Sequence, residues 1–504
     1  MTSGTDGIFD PPRTQAGRGR RRRKLIGLVA ISAVVIAGTV FAAVRLFDAC
    51  GSLGSGVHRV DGECVGVTDG TYLFNPEFKD IQQKIADENA RVRRQGRYVS
   101  IALLDPLTPT NTSALSADQI RNQLEGAFTA QYRVNHSSIV GDSSPQIQLL
   151  LANEGSSQGQ WKPVVDQLGG MTNQNNPLVA VVGMGVSLVQ TQQAAGELSR
   201  RKIPMVGSII TADGLDYNHI QGLIRVSPSN EDYVRSLRIY LGGRSDVHTG
   251  VLVYDSNSDS GVDIFTKTLR DDFEHEMRDL IGNSAPLSFT GVSIPTDANP
   301  GMFAPLRANI CSVKPDVIFY AGRQLDLAGF LQSLENRICR NLPLTVMTGG
   351  TNLAALVRSQ VEQLRAAKLT VVFSGTTDAQ GWANNVPGTP DGYQGFLSAF
   401  TGQKLDPAHL DDGGAIMTHD AVLTAAEAVQ LAAPGGRIPV AEDVRNQLMN
   451  LNGEYRVPGA SGTLSFSFRE RGAGNPEGKV VPIFQFPRPP GHPSGQIGSL
   501  YHTP

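Results

Sequence analysis

The sequence is poor in the residues that usually hold metals and redox groups. Its 504 residues include four cysteines, nine histidines and two tryptophans. The cysteines form no CxxC pair, and the histidines are scattered along the chain without the spacing of metal ligands. We therefore predict that the protein has no metal site and needs no cofactor.

The motifs of common catalytic and nucleotide-binding sites are absent as well. The chain contains neither a GxxxxGK[ST] phosphate loop nor a G-x-S-x-G nucleophile turn. The turn Gly183-Met184-Gly185 follows a run of β-forming residues, but Leu188 stands where a dinucleotide-binding fingerprint requires its third glycine. These absences argue against an enzyme and against a nucleotide as the ligand.

The net charge is small but unevenly distributed along the chain. The formal charge is −3 at pH 7, while residues 1–24 alone carry seven basic and two acidic side chains. The rest of the chain therefore has a net charge of −8. An acidic body of this kind is a poor partner for phosphates, so we expect no nucleic-acid partner.

A long apolar run follows this basic segment. The stretch from Leu25 to Val44 is uncharged and has the roughly 20 residues that a helix needs to cross a bilayer. We expect residues 1–24 to form a basic cytoplasmic tail and residues 25–47 a single transmembrane helix, with the rest of the chain outside the cytoplasm. Two alternatives stay open, which are a cleaved signal peptide and a lipoprotein modified at Cys50.

The four cysteines suit an oxidising compartment. Cys50 and Cys64 are separated by 14 positions, and Cys311 and Cys339 by 28. Although four cysteines allow three connectivities, pairing within each local pair is the simplest. We expect the disulfides Cys50–Cys64 and Cys311–Cys339, which would persist outside the cytoplasm.

The body of the chain alternates between strand and helix patterns. Residues 48–95 are predicted to hold a disulfide-closed loop and then a linker helix. From Tyr98 onward, apolar strands such as YVSIALLDPL alternate with amphipathic helices, and a similar order returns about 140 residues later, from His248. This alternation predicts two similar α/β lobes, each with a parallel sheet covered by helices. Residues 489–504, rich in proline, are expected to form a loose tail.

The turn after the strand PLVAVVG is the strongest candidate for a ligand site. Gly185 permits close backbone approach, and Ser187 is placed to cap the next helix, whose free N–H groups favour an anionic group. The following strand offers Ser208 and Thr211 at the same edge. Ligands of open α/β sheets bind beyond the carboxyl ends of the strands, and two facing lobes would close on a ligand by hinge motion.

The order of several segments resembles the type I periplasmic-binding-protein fold, in the branch of the branched-chain amino-acid ABC-type substrate-binding proteins. The matching segments are VAVVGMGVS, IPMVGSIITADGL, IRVSPSNEDYVRSL, VLVYDSNSDSGVDIF, PDVIFYAGRQLDLAGFLQSL and SGTLSFSFRERGAGNPEGKVVPIFQ. The resemblance covers about residues 96–488 and implies two Rossmann-like lobes joined by three hinge crossovers. It places the first lobe at residues 96–214 plus 350–455, and the second at residues 222–349 plus 456–488.

The resemblance also implies where a ligand would bind. In this family, hydroxyl and backbone groups of the first lobe bind an amino-acid carboxylate, and strand ends of the second lobe supply further contacts. The ligand-binding residues implied in this sequence are Asp105, Gly185, Ser187, Ser208, Thr211, Tyr254, Asp255 and Arg323.

These observations lead us to expect a membrane-anchored, extracytoplasmic binding protein without catalytic activity. It would capture a small polar ligand, such as an amino acid, by cleft closure and deliver it to the permease of an ABC-type transporter. The alternative is a ligand-sensing receptor ectodomain that signals through the anchor to a membrane or cytoplasmic partner. Receptors that resemble this family dimerise, so the resemblance also allows a homodimer.

Overall fold

The computed structural model describes residues 50–51, 56–141, 145–292, 301–350, 353, 357–470, 472–492 and 494–504. The predicted basic tail (1–24) and transmembrane segment (25–47) lie outside these described residues. Within the ranges just given, none of the helices combines the length and the apolar character that a bilayer crossing requires.

The first lobe is built on a seven-stranded sheet. Its strands are β1 (Val57–Val60), β2 (Glu63–Thr68), β3 (Tyr98–Asp105), β4 (Gln146–Asn153), β5 (Leu178–Gly183), β6 (Met205–Gly207) and β7 (Leu223–Arg225). The strand order is β1-β2-β4-β3-β5-β6-β7. Strands β3 to β7 are parallel to one another, as their continuous apolar runs predict, while β1 and β2 run antiparallel at one edge.

The second lobe contains another sheet of seven strands. The remaining strands among the described residues are β8 (Gly250–Asp255), β9 (Leu287–Phe289), β10 (Val317–Ala321), β11 (Leu344–Gly349), β12 (Leu369–Ser374), β13 (Val457–Gly459), β14 (Gly462–Leu464), β15 (Val480–Phe486) and β16 (Gln496–His502). The order in the second sheet is β16-β15-β12-β11-β10-β8-β9, and β13 pairs only with β14. Strands β8 to β12 are parallel, and β15 and β16 are antiparallel additions.

Helices complete both lobes. Those whose side chains join the cores of the first lobe are Lys79–Gln95, Ala117–His136, Trp161–Met171, Val189–Arg200, Ala379–Ala383, Tyr393–Gly402, Gly414–Ala432 and Ala441–Arg445. Those of the second lobe are Asn230–Gly242, Ile264–Glu276, Arg278–Ile281, Ala304–Val313, Gln324–Glu335 and Val361–Ala366. Single 3-10 turns lie at Pro76–Phe78, Ser256–Ser260, Pro407–Leu410, Pro434–Gly436, Leu448–Asn450 and Gly453–Tyr455.

Each sheet has an apolar core on both of its faces. In β3, Ile101 and Leu103 pack into one core of the first lobe, while the alternate residues Ala102 and Leu104 pack into the other. This alternation is the two-residue period of a strand. Because both faces are covered, the strand can be apolar throughout, which is why its sequence predicts a buried parallel strand.

The ends of two helices follow directly from local sequence signals. Ser116 accepts a hydrogen bond from the Gln119 N–H at 3.3 Å, and the Gln119 side chain accepts one from the Ser116 N–H at 3.0 Å. Ser229 and Asp232 form the same reciprocal pair before the helix Asn230–Gly242. Each pair is a capping box, which satisfies backbone donors that a helix start would otherwise leave unpaired.

The chain passes between the lobes three times, but at different places from those predicted. Strand β7 belongs to the first sheet, so the first passage follows Arg225. Strand β12 belongs to the second sheet, so the second passage follows Ser374 and not residue 349. The third passage follows Ala473, which still packs in the first lobe. The predicted boundaries failed because a parallel strand looks the same in either sheet when only its sequence is known.

A buried lysine fastens two of these passages together. The Lys479 ammonium donates to the carbonyl of Val226 at 2.6 Å and to the hydroxyl of Ser461 at 2.7 Å. Val226 follows the first passage point, and Lys479 precedes β15 at the end of the third passage. Burial lowers the pKa of Lys479 to about 7, although the nearby Asp420 carboxylate opposes that effect.

Two segments predicted to be irregular contain strands. The disulfide-closed loop predicted within residues 48–95 holds the hairpin of β1 and β2, whose turn residues Asp61 and Gly62 both have positive φ. An Asp-Gly pair between two strands is a strong hairpin signal, and the composition of the segment concealed it. The expected loose tail, residues 489–504, contains β16, which pairs with β15.

The cysteines form the expected local disulfides. Cys311 is bonded to Cys339 in the second lobe, and Cys50 and Cys64 are each disulfide-bonded as well. No cysteine among the described residues is free. The Cys311–Cys339 bridge joins the end of the helix Ala304–Val313 to the loop before β11.

Candidate ligand-binding site

A cavity lies where the two lobes meet, at the carboxyl ends of the parallel strands. Its volume is about 750 Å³ when the space open to solvent is included. The first lobe and the segment after β12 contribute Ala114, Leu115, Gln119, Gln123, Val186, Ser187, Ile209, Thr211, Thr376, Asp412 and Gly414 to its lining. The second lobe contributes Phe265, Arg323, Gln324 and Gly350. This is the edge at which open α/β sheets bind ligands.

Three of the predicted ligand-binding residues meet in this cavity, namely Ser187, Thr211 and Arg323. The lobes also contact each other directly around them. The Phe265 N–H donates to the Ser187 carbonyl at 3.1 Å, and the Val189 N–H donates to the Val262 carbonyl at 2.9 Å. The cavity is therefore bounded by backbone hydrogen bonds that cross from one lobe to the other.

Among the described residues that line the cavity, Arg323 is the one with a positively charged side chain. It precedes the helix Gln324–Glu335 and is almost wholly buried. Its guanidinium donates to both carboxylate oxygens of Asp263, at 2.6 and 2.9 Å, and to the Ser187 carbonyl at 3.2 Å. It also lies 5.1 Å from the ring centroid of Phe265. These contacts fix the guanidinium in place and compensate its charge.

Ser187 does not cap a helix, contrary to the sequence prediction. The helix begins at Val189, with Leu188 as its N-cap residue. The Ser187 hydroxyl instead accepts hydrogen bonds from the Thr211 N–H at 3.0 Å and the Ala212 N–H at 3.2 Å. Ser187 thus holds the loop after β6 against the turn after β5, and its carbonyl is the group that faces Arg323.

Gly185 and Ser208 lie near the cavity but are not part of its lining. Gly185 has φ +59, and a Cβ placed on it would lie 2.6 Å from the side-chain amide of Gln158. The group that approaches the Gly185 backbone closely is therefore the Gln158 side chain and not a ligand. The Ser208 hydroxyl is fully buried and donates to the Gly183 carbonyl at 3.4 Å. Both residues support the turn from within the protein.

Asp105 is buried beside a second carboxyl group and does not reach the cavity. Neither of its carboxyl oxygens makes a hydrogen bond of normal geometry within the described part of the chain, and the same holds for Glu154. Burial raises the pKa of Asp105 to about 7, which the Gly185 N–H opposes. Burial and the neighbouring Asp105 raise the pKa of Glu154 well above its ordinary value.

Tyr254 and Asp255 also lie outside the cavity lining. The Tyr254 ring packs beneath the guanidinium of Arg270, 5.0 Å from ring centroid to the central carbon. Asp255 is fully buried and accepts hydrogen bonds from the N–H groups of Asn257 and Gly291, both at 3.0 Å. Burial raises its pKa. These residues shape the turn after β8 and do not contact a ligand space.

Several lining residues escaped the sequence analysis because they belong to helices distant in sequence. Gln123 lies in the helix Ala117–His136, and Gly414 begins the helix Gly414–Ala432. Asp412 accepts hydrogen bonds from the Asn122 side chain and the Gly414 N–H, both at 2.8 Å. Burial raises the pKa of Asp412 to about 6. The sequence signal that could have found this region is the paired glycines Gly413-Gly414 immediately before an apolar helix.

Solved structures with the same architecture come from bacterial transport systems. A substrate-binding protein of an ABC transporter from Desulfitobacterium hafniense has a TM-score of 0.55 at 18% identity, covering 80% of this chain and 99% of its own. The leucine-binding protein of Thermotoga maritima has a TM-score of 0.55 at 14% identity, covering 81% of this chain and 98% of its own. The chain has the type I periplasmic-binding-protein fold.

Ligands differ among the proteins that share this type I periplasmic-binding-protein fold. The Desulfitobacterium hafniense protein was solved in complex with Leu. A solute-binding protein of an ABC transporter from Rhodopseudomonas palustris was solved with 4-hydroxybenzoate; its TM-score is 0.56 at 12% identity, over 80% of this chain and 96% of its own. No family model and no curated protein matches the sequence. The fold is therefore established by structure alone.

Proposed function

We propose that the protein is an extracytoplasmic solute-binding protein, which captures a small polar ligand by closing its two lobes and passes it to an ABC-type transporter. The observation that carries this proposal is the cavity at the meeting edges of the two sheets, lined from both lobes and containing Ser187, Thr211 and Arg323. Type I neighbours with ligands such as Leu support the same role. The protein acts by binding, without catalysis.

We further propose that residues 25–47 anchor the protein in the cell membrane, with residues 1–24 in the cytoplasm. The proposal is supported by the basic cluster directly before an uncharged run from Leu25 to Val44. Disulfide-bonded cysteines in the remainder of the chain agree with a location outside the cytoplasm. An anchored binding protein would stay close to a permease in the same membrane.

Thermal unfolding with a panel of solutes tests the binding role. The full chain, kept oxidised in a mild detergent, is heated with amino acids, amides, sugars and nucleosides. A ligand present at 100 times its dissociation constant adds about 2.7 kcal/mol to the free energy of unfolding and raises Tm. Thr211→Val should lose this shift because Thr211 lines the cavity, whereas Ser208→Ala should keep it.

The alternative role is sensing, in which lobe closure is reported through the anchor to a partner. It is distinguished by an uptake measurement with the ligand found above. Loss of uptake when the chain is removed supports transport. Unchanged uptake, together with a shift of Tm, would favour the receptor role. No shift with any solute in the panel would overturn both roles.

A further inference from the structure

We propose that the cavity selects a ligand whose head group carries no carboxylate and donates N–H hydrogen bonds, namely a primary amide on a small apolar body. The inference rests on the proposed binding function and goes beyond it in naming the ligand class. It also departs from the neighbours described above, whose ligands Leu and 4-hydroxybenzoate both carry a carboxylate.

The positive side chain in the described lining is already neutralised. Both hydrogen bonds of the Arg323–Asp263 pair are shorter than 3.0 Å, and the Asp263 side chain is fully buried. The third contact of Arg323, to the Ser187 carbonyl, uses a further N–H. A carboxylate approaching Arg323 would meet a guanidinium that already has its counter-ion, so little attraction remains for it.

The second positive feature is the start of the helix Gly414–Ala432, whose 19 residues place the positive end of a helix dipole at the cavity. The Asp412 carboxylate occupies that position and accepts the Gly414 N–H at 2.8 Å. An anionic ligand would therefore be repelled by Asp412 where a free helix start would have attracted it.

Backbone N–H groups of the turn after β5 and of the loop after β6 are also engaged within the protein. The N–H groups of Thr211 and Ala212 donate to the Ser187 hydroxyl. The Val186 N–H donates to the side-chain oxygen of Gln158 at 3.0 Å. Gln158 itself is held by a hydrogen bond from its Nε2 to the Thr191 hydroxyl at 2.8 Å. A carboxylate could reach these donors only by breaking buried hydrogen bonds.

Two polar side chains of the described lining, Gln123 and Asp412, offer a ligand a donor and an acceptor. The Nε2 group of Gln123 is buried and makes no hydrogen bond within the described part of the chain, and the residue is 1% exposed. Gln123 and Asp412 both border Gly414, since a Cβ on that glycine would lie 3.3 Å from Gln123 Cγ and 3.2 Å from Asp412 Oδ1. An amide matches this pair, with its carbonyl accepting from Gln123 and its N–H donating to Asp412.

The remainder of the lining suits an apolar body. Leu115, Val186, Ile209 and Phe265 contribute side chains that need no polar partner. A small aliphatic or aromatic group would be removed from water against them, which supplies most of the affinity in cavities of this kind. The polar pair would then fix the orientation of the head group.

Matched ligand pairs test the proposal on the full chain in mild detergent. Titration calorimetry compares each acid with its amide: L-leucine with L-leucinamide, 4-methylpentanoate with 4-methylpentanamide, and benzoate with benzamide. We expect at least one amide to bind at least about 10-fold more tightly than its acid. Asp412→Asn should reduce that preference, and Gln123→Leu should weaken the amide, while Ser208→Ala should leave both affinities unchanged.

The outcomes separate this inference from the proposed function. Tighter binding of an acid than of its amide overturns the inference and leaves the binding function intact. If sugars or nucleosides bind but no acid or amide of the three pairs does, the inference is likewise overturned and the binding function stays intact. If nothing in the wider panel binds, the binding function itself fails. The comparison within each pair uses the unmodified protein, so it stays decisive even if a variant does not fold.

Discussion

At the scale of single residues, the paired carboxyl groups of Asp105 and Glu154 are the most unusual feature of the first lobe. Both are buried at adjacent strand ends, and neither has a cationic partner in the part of the chain described. Two carboxylates so close together in a region of low dielectric cannot both ionise without a large cost, which is why their pKa values are raised. The pair therefore links stability to pH.

The consequence can be measured with Asp105→Asn. With a folded-state pKa of about 7 against an ordinary value of 3.8, the folded wild-type protein retains a proton that the unfolded chain releases. Its free energy of unfolding should therefore fall as pH rises from 4 to 7, by up to about 4 kcal/mol. When urea unfolding is followed at pH 4 and pH 7, the asparagine variant should show a smaller fall than the wild type, because only the contribution of the buried Glu154 remains.

The control for that experiment is the exposed residue Asp391. Asp391→Asn should retain the pH dependence of the wild-type protein, because that side chain lies in solvent. If Asp105→Asn showed the same pH dependence as this control, the buried carboxyl pair would not be the origin of the effect.

The predicted site residues that line the cavity and those that do not all lie at or just after the carboxyl end of a strand. Ser187, Thr211 and Arg323 follow strands whose carboxyl ends meet at the cavity, and the topology of parallel sheets makes that edge predictable. Asp105 and Ser208 follow the same rule, but their side chains turn into the protein. Sequence indicates which strand end a residue occupies; the direction of its side chain depends on tertiary packing.

At the scale of elements, the Cys311–Cys339 bridge closes a loop with a sequence separation of 28. Loop-closure entropy predicts that removing it costs about 3.5 kcal/mol. The double variant Cys311→Ser with Cys339→Ser should lower the free energy of unfolding by about this amount in urea. The matched control is the double variant Cys50→Ser with Cys64→Ser. The bridge that it removes closes a loop with a sequence separation of only 14, so its loss should lower the free energy of unfolding by less. Equal stability of the wild type and the first variant would contradict the prediction.

The last strand is a second element whose contribution can be measured. β16 adds an edge to β15, buries Ile497, and brings the Tyr501 hydroxyl to Asp232 at 3.1 Å. Deleting residues 489–504 should lower the free energy of unfolding by more than about 2 kcal/mol, from the apolar burial and ladder hydrogen bonds that are lost. Both truncated chains are compared with the full chain in thermal melts, and removal of Pro504 alone should leave the free energy of unfolding unchanged. A truncated chain as stable as the full one would mean that the tail is indeed loose.

The helix and parallel-strand pattern was predictable because each of these elements carries its own period in its sequence. β16 was missed because its evidence is not local. The segment Gln496–His502 contains one glycine and follows several prolines, and nothing in it indicates that β15 offers a free edge. Lobe boundaries failed for a related reason, since the sheet that a strand joins is decided by distant partners.

At the scale of the whole molecule, an acidic pair spans the two lobes. Asp213 follows β6 in the first lobe, and Asp272 lies on the helix Ile264–Glu276 of the second. Their carboxyl groups are close enough to share a proton, and burial together with mutual repulsion raises the pKa of Asp272. Charged groups that also act on the pair are Arg225, Glu231, Asp232 and Asp271.

This arrangement predicts a pH-dependent separation of the lobes. As pH rises and the second carboxyl ionises, repulsion should favour the open form and increase the radius of gyration measured by small-angle X-ray scattering. Asp272→Asn removes the repulsion and should keep the radius constant between pH 8 and pH 10.5, the range in which the raised pKa of Asp272 places the ionisation in the wild type. Asp279→Asn, an exposed change in the same lobe, should behave as the wild type. A radius that is constant in the wild type would contradict the prediction.

The three passages between the lobes have a consequence for how the chain is made. The first lobe takes its helix Gly414–Ala432 from near the C-terminus, and the second lobe takes β15 and β16 from the last 25 residues. Neither lobe is complete when only half the chain has been synthesised. Almost the whole polypeptide must therefore leave the ribosome or the export channel before either core can form. Until then, the segments made first expose apolar surface to the solvent. The connectivity of the two lobes therefore makes the chain dependent on chaperones during synthesis and export.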